Sequence, residues 1–219
     1  MNLFITFEGP EGSGKTTQLH ILAAHLRGQG YDVLTTREPG GTAIGDRVRA
    51  IVLDPVHEEM VAATEFLLFS ASRAQHVAQV IAPHLARGGI VLCDRYADAS
   101  LAYQGYGQQL DLEALRSITT FATGGLVPDV TFYLDIPAAL GLQRKEGGDG
   151  DAWNRMEQQA LAFHRRVRQG YLAMIEQEPA RWVQIDATRD RDQVQAAIRA
   201  ALQARHILPT PVLGPNTPR

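Results

Sequence analysis

Residues 3–26 read LFITFEGPEGSGKTTQLHILAAHL. The stretch opens as a short apolar, β-prone run ending at Glu8-Gly9, and from Thr16 onward Leu19, Leu22, Ala23 and Leu26 fall at helical spacing. Between them Gly9–Thr16, GPEGSGKT, fits G-x-x-x-x-G-K-[ST] in full, directly after a strand and directly before a helix. The glycines let the backbone curl so that successive N–H groups point inward around phosphate oxygens. Gly9, Pro10, Glu11, Gly12, Ser13, Gly14, Lys15, Thr16 and Thr17 are therefore the candidate nucleotide cradle. Lys15 brings a cation toward the β and γ phosphates of a nucleoside triphosphate, and the Thr16 hydroxyl is a candidate magnesium ligand. Lys15 is also one of only two lysines among 21 basic residues, the other being Lys145. A chain that otherwise uses arginine keeps lysine where a compact point charge suits phosphate.

The strand–turn–helix pattern recurs outward from this segment. Strands are expected at 31–36, 90–93, 131–136 and 182–186, with helices over 58–87, 111–122, 138–145, 155–177 and 190–205. Such alternation predicts an α/β fold, a five-stranded parallel sheet with helices on both faces, because parallel strands require crossover connections. One domain over residues 1–207 is the simplest division. EGGDGD at 146–151 carries three glycines and three acids between two helical patterns, so a lid is expected at about 144–155. Residues 208–219 hold four prolines and few apolar side chains, and a loosely attached tail is expected there.

Composition narrows the partners. The 219 residues are 45% hydrophobic and 21% charged, which excludes fibrous and disordered classes, and no apolar run approaches the length of a membrane span. The MNLFITF start runs straight into the glycine-rich turn rather than a cleavage site, so no export signal is expected. A single cysteine, Cys93, excludes a disulfide framework and points to a reducing, cytoplasmic setting. A net charge of -3 gives no broad attraction to nucleic acid or to an anionic membrane, so neither is an expected partner. An anionic ligand must be held by a local cluster.

The candidates for such a cluster sit at strand ends. TREPGGT places Arg37 at the carboxyl end of the second strand, ahead of a rigid turn containing Pro39, and DRY places Asp94 and Arg95 after the third. Asp94 fits the acid that holds magnesium opposite Thr16, while Arg37 and Arg95 can fork onto a second phosphate group. An isolated arginine at a strand end is ordinarily a surface ion pair; two beside a phosphate loop favour a ligand. Phe69 and Arg73, four apart on one helix, offer an aromatic plane beside a fork of donors. SLAYQG at 100–105 adds Tyr103 and Gln104, an aromatic and an amide able to read a base edge.

In order and approximate spacing, FEGPEGSGKTT, TREPGGT, DRY and SLAYQG resemble the thymidylate kinases, P-loop nucleoside monophosphate kinases that phosphorylate dTMP with ATP. LDI, MEQQALAFHRRVRQGYL and QIDAT extend the resemblance over about residues 3–200. It implies that ATP and magnesium are used, that Phe69 stacks on thymine, and that Arg73 and Gln104 address the base. It further implies that Arg37 and Arg95 hold the dTMP phosphate and that Tyr103 crowds a 2′-hydroxyl. Pro39 and Ser100 join the substrate-binding set, Glu11 lies near the 3′-hydroxyl, the Glu38–Pro39 bond is cis and the protein is a homodimer. The chain departs from the family at Ala99, where serine is frequent, at Gln108, where arginine is common, and in an acidic rather than basic lid. The P-loop itself supplies no arginine, so the transition-state cation is expected from the lid ends, with Arg144, Lys145 and Arg155 as sources and Arg144 and Arg155 favoured. The alternatives to dTMP phosphorylation are a kinase for another nucleotide or a deoxynucleoside, and a regulatory P-loop NTPase.

Overall fold

The computed structural model describes residues 2–146 and 154–208. Five parallel strands, β1 (Leu3–Glu8), β2 (Val33–Arg37), β3 (Ile90–Asp94), β4 (Val130–Asp135) and β5 (Trp182–Asp186), form one sheet in the order β2-β3-β1-β4-β5. In register, Ile5 lies between Leu92 and Val130, and Arg37 pairs with Asp94. The strands that end in Glu8, Arg37 and Asp94 therefore finish together. The chain runs outward from β1 to β2, returns to β3, and then crosses to β4 and β5 on the other side of β1. Loops diverge where the winding reverses, which opens a crevice at the carboxyl edge of the sheet.

Period-two alternation along β1 assigns its two faces. Leu3, Ile5 and Phe7 pack with Leu19, Leu22 and Leu26 of α1 (Lys15–Gly28) and with Val194, Ile198 and Leu202 further along the chain. Phe4 faces the opposite side with Val91, Tyr96, Val77 and Ile81. Helices therefore cover both faces, as the alternating sequence predicts. The remaining helices are α2 (Ala43–Leu53), α3 (Ala62–His76), α4 (Ala82–Ala86), α5 (Ala97–Ser100), α6 (Leu112–Thr123), α7 (Ala138–Glu146), α8 (Leu161–Gln177) and α9 (Arg191–Arg205). An aromatic cluster of Tyr133, Tyr171 and Trp182 fastens α8 to β4 and β5.

Several elements differ from the expectation, among them α5 and a π-helical turn at Leu101–Gly107, where no helix is expected. The helix expected over 58–87 begins at Ala62 and widens into a π-helical turn at Val77–Ile81 before α4. Pro83 has no N–H for the carbonyl of Gln79 and its ring would press on that carbonyl in a regular α-helix, and the wider turn accommodates it. The helix expected from 155 begins at Leu161, because the Asn154 side chain accepts from the amides of Met156 and Glu157 and bends the segment into turns. Helix α2 was not foreseen, although Thr42 caps it by accepting from Gly45 N at 2.9 Å and Ile44, Val48, Ile51 and Val52 keep helical spacing. Most of the expected lid, residues 147–153, and residues 209–219 of the expected tail lie outside the described residues.

Phe132 is wholly buried in β4, its ring 5.5 Å from that of Phe7. Phe132→Ala leaves a cavity under the P-loop strand and should lower the unfolding free energy by about 3–5 kcal/mol. Urea denaturation at neutral pH checks this; a loss below about 1 kcal/mol would mean that the sheet relaxes around the gap.

Candidate active site

The loop between β1 and α1 is pressed against backbone on one side. A Cβ on Gly12, at φ 68°, would stand 2.0 Å from the Gly141 carbonyl oxygen, and one on Gly141 would stand 2.3 Å from the Glu11 carbonyl oxygen. At these two glycines loop and α7 meet main chain to main chain. Gly14, at φ 85°, starts α1 without a side-chain cap or an acid in the first turn, so nothing competes with an anion for that helix end. Lys15 curls back over the loop, its Nζ donating to Pro10 O at 2.8 Å and Ser13 Oγ at 3.3 Å. Burial, followed by the neighbouring Arg95 charge, draws its ammonium down to about 8. The Thr16 hydroxyl donates to the Asp94 carboxylate at the end of β3. A hydroxyl facing a carboxylate suits a hard divalent cation that completes its shell with phosphate oxygens and water. Among the described residues no group of three His, Cys, Asp or Glu could hold a metal without such help.

Arg95 joins this cradle to the rest of the crevice. Its backbone is left-handed, φ 65°, with its own amide donating to Phe7 O at 3.0 Å. The guanidinium donates to Gly9 O at 3.0 Å, Glu11 Oε1 at 2.6 Å and the Tyr103 hydroxyl at 3.0 Å, and lies 4.9 Å from the Tyr103 ring centre. Burial disfavours the Glu11 carboxylate, but Arg95 and Lys15 outweigh it and hold the group down to about 2. Behind Arg95, the fully buried Glu8 accepts from Tyr96 N at 2.8 Å and from the Tyr171 hydroxyl at 2.7 Å. Burial and the nearby Asp98 push its carboxyl up to about 7.

A buried frame orients the third wall. Glu38 accepts from Arg73 Nε at 2.7 Å and from His76 Nδ1 at 3.0 Å, and the Glu38–Pro39 bond is cis. Arg73 Nη2 donates to Tyr96 O and to Ser100 Oγ, which leaves Nη1 buried with no partner among the described residues. Lys15, Thr16, Thr17, Glu11, Gly12 and Gly14 share one cavity of about 570 Å³ with Arg37, Pro39, Phe69, Arg73, Asp94, Arg95, Ser100, Tyr103 and Gln104. Gly9, Pro10 and Ser13 form the back of the loop rather than the cavity wall. The cavity joins a glycine-rich loop at a helix N-terminus to an aromatic-and-amide wall, with arginines between them.

A sequence model of the thymidylate kinase family matches residues 7–198. The chain belongs to the thymidylate kinase family. It is 53% identical over 214 residues to a thymidylate kinase of Roseiflexus castenholzii, covering 93% of each chain. It is 57% identical over 204 residues to one of Deinococcus radiodurans, covering 93% of this chain and 97% of that protein. The crystal structure of a thymidylate kinase from Ehrlichia chaffeensis superposes with a TM-score of 0.75 at 33% identity, over 92% of this chain and 98% of that one.

The structure does not bring the two favoured lid-end cations of this thymidylate kinase family member to the P-loop. Arg155 is buried, its Nε on Val52 O at 3.2 Å and its Nη2 on the Glu65 carboxylate, so an interior acid takes its charge. Arg144 donates to Ala187 O at 2.8 Å and Thr188 O at 3.1 Å, in the turn after β5. Lys145 does line the cavity, 3.6 Å from Glu157. Arg49 also lines it, donating to Pro39 O at 3.1 Å from α2; the capped amphipathic spacing of α2 was the available signal for it. Glu65 and His76 carry no motif signal, and Glu8, though it falls in FEGPEGSGKTT, acts like them through residues distant in sequence.

Phosphate charge placed beside Lys15 favours its ammonium, so ATP binding near pH 8 to 9 should take up a proton, and affinity should fall as pH rises past 8. At about pH 6.5 the lysine is already charged and the uptake should vanish. Calorimetry in two buffers of different ionisation heat measures it, and Lys15→Arg should abolish it. Equal uptake in Lys15→Arg would assign the proton elsewhere.

Proposed function

We propose that the chain transfers the terminal phosphoryl group of ATP to dTMP, giving ADP and dTDP. One observation carries this reading: the triphosphate cradle and the base slot open into a single cavity with Arg95 at their junction. In this reading Lys15 and the amides of Gly12 to Thr17 hold the ATP phosphates. Arg37, Arg49 and Arg95 hold the acceptor phosphate in line, so that its oxygen attacks the γ phosphorus as the bond to the β–γ bridging oxygen breaks. Little covalent chemistry is asked of the protein, and the rate comes from positioning and charge. Thr16 and Asp94 would hold magnesium, which would supply neutralising charge at the phosphates. Phe69 stacks on thymine while Arg73, Ser100 and Gln104 border its polar edge. Glu11 reaches the 3′-hydroxyl and the Tyr103 ring fills the space of a 2′-hydroxyl. Lys145 is the lid-flanking cation that lines the cavity, while Arg144 on α7 is tied to the turn after β5.

An ADP-release assay with a panel of monophosphates tests the reading. ATP turnover should depend on dTMP, dUMP should be weaker by roughly 1–3 kcal/mol in kcat/KM for its missing methyl, and dGMP should fail because two rings overfill the Phe69 slot. Turnover that proceeds equally without any monophosphate would overturn it.

A homodimer in the cytoplasm completes the proposal. Helices α2, α3 and α6 pack in succession and expose Ile44, Ile51, Leu67 and Phe121, the last 89% exposed, an apolar set that a second copy would cover. The one cysteine is buried and unpaired, as suits a reducing compartment. No helix among the described residues is long and apolar enough to cross a membrane. Sedimentation should give twice the chain mass, and Leu67→Glu with Phe121→Glu should halve it; a monomeric wild type would remove the dimer from the proposal.

A further inference from the structure

Glu65 stands on α3 one turn before Phe69 and is wholly buried. Its carboxylate gathers donors from two separate parts of the chain. Gln104 Nε2 donates to Oε1 at 2.6 Å, Gln108 Nε2 to the same oxygen at 2.9 Å, and Arg155 Nη2 to Oε2. A carboxylate paired with a guanidinium only accepts, so both amides must turn their NH₂ groups toward it. This fixes a choice that a glutamine alone leaves open. With one N–H committed to Glu65 the amide plane is fixed and its oxygen end is the one turned away from the carboxylate; Oε1 takes no protein hydrogen bond among the described residues while Gln104 lines the cavity. Arg73, on the same cavity, has the opposite polarity to offer, because its Nη1 is a buried donor without a partner.

The slot thus presents one donor and one acceptor. A pyrimidine with a ring N–H beside a carbonyl, such as thymine or uracil, presents the complement. Cytosine presents a ring acceptor beside an amino group, so each contact would meet its own kind, and a buried mismatch of this sort is expensive. We propose that Glu65 is a specificity-determining positioning residue, which fixes the Gln104 amide so that the slot accepts 4-oxo pyrimidines and rejects 4-amino pyrimidines. Arg155 acts with it by holding its other oxygen. The inference rests on Phe69, Arg73 and Gln104 forming the base slot.

The test is the ratio of kcat/KM for dTMP over dCMP in the full-length enzyme. In Glu65→Gln the new amide can offer either polarity, so Gln104 is free to rotate and the ratio should fall by about tenfold or more, with KM for dTMP rising more than kcat falls. Gln104→Met, which removes the amide, should lower the same ratio, and adding Glu65→Gln to it should change the ratio no further. If Glu65→Gln fails to fold with Arg155 left unpaired, Glu65→Gln with Arg155→Met removes both charges and carries the same expectation. A purely structural role would lower the melting temperature and slow both substrates alike. A ratio unchanged in a folded Glu65 variant overturns the proposal, as does an unchanged ratio in Gln104→Met. A wild type that phosphorylates dCMP as well as dTMP would instead overturn the assignment of the slot itself.

Discussion

The guanidinium of Arg95 is the joint on which the site depends. Three groups that would otherwise be independent meet there: the P-loop through Gly9 O and Glu11, the aromatic wall through Tyr103, and the carboxyl edge of β3 through its own backbone. The left-handed conformation at Arg95 carries a steric cost of about 1–2 kcal/mol for a residue with a side chain. The structure offsets it with bonds on both sides, Arg95 N to Phe7 O and Tyr96 N to the buried Glu8. The Glu11 ion pair adds a charge-assisted bond that solvent screens little. Strain at one residue is thus the means by which the glycine-rich loop and the aromatic wall are brought to a common edge.

Buried glutamates form the frame behind that edge. Glu8, Glu38 and Glu65 each lie beneath a different wall of the cavity, and each accepts bonds from residues more than 30 positions away from it in sequence. Buried charge of this kind adds little net stability, because desolvation consumes most of the attraction. Its effect is geometric. A carboxylate with two or three fixed donors allows one arrangement of those donors, and loss of any partner leaves a buried group unsatisfied.

What the sequence made legible follows from the range of the interactions. The Gly9–Thr16 turn, Arg37 and Asp94 were readable because a strand end and the turn after it are decided within a few residues. The five strands were readable for the same reason, as apolar runs bounded by turns. Arg155 was not, because its partner Glu65 lies 90 residues away and nothing local distinguishes a buried guanidinium from one reaching for phosphate. Nor was Arg49, because the capped spacing of α2 marks a helix but not which of its residues reaches the cavity. The π-helical turn at Leu101–Gly107, which carries Tyr103 and Gln104, has no periodicity in sequence that separates it from an ordinary helix.

The contact between Gly12 and Gly141 has a genetic consequence. Each glycine excludes a side chain at the other's position by way of main-chain atoms, the Gly141 carbonyl in one direction and the Glu11 carbonyl in the other. No trimming of a neighbouring side chain can make room for a methyl group at either site. Relief requires the backbone itself to move, either the Gly9–Thr16 loop or α7. Substitutions at these two positions therefore belong to the class that second-site suppressors do not rescue.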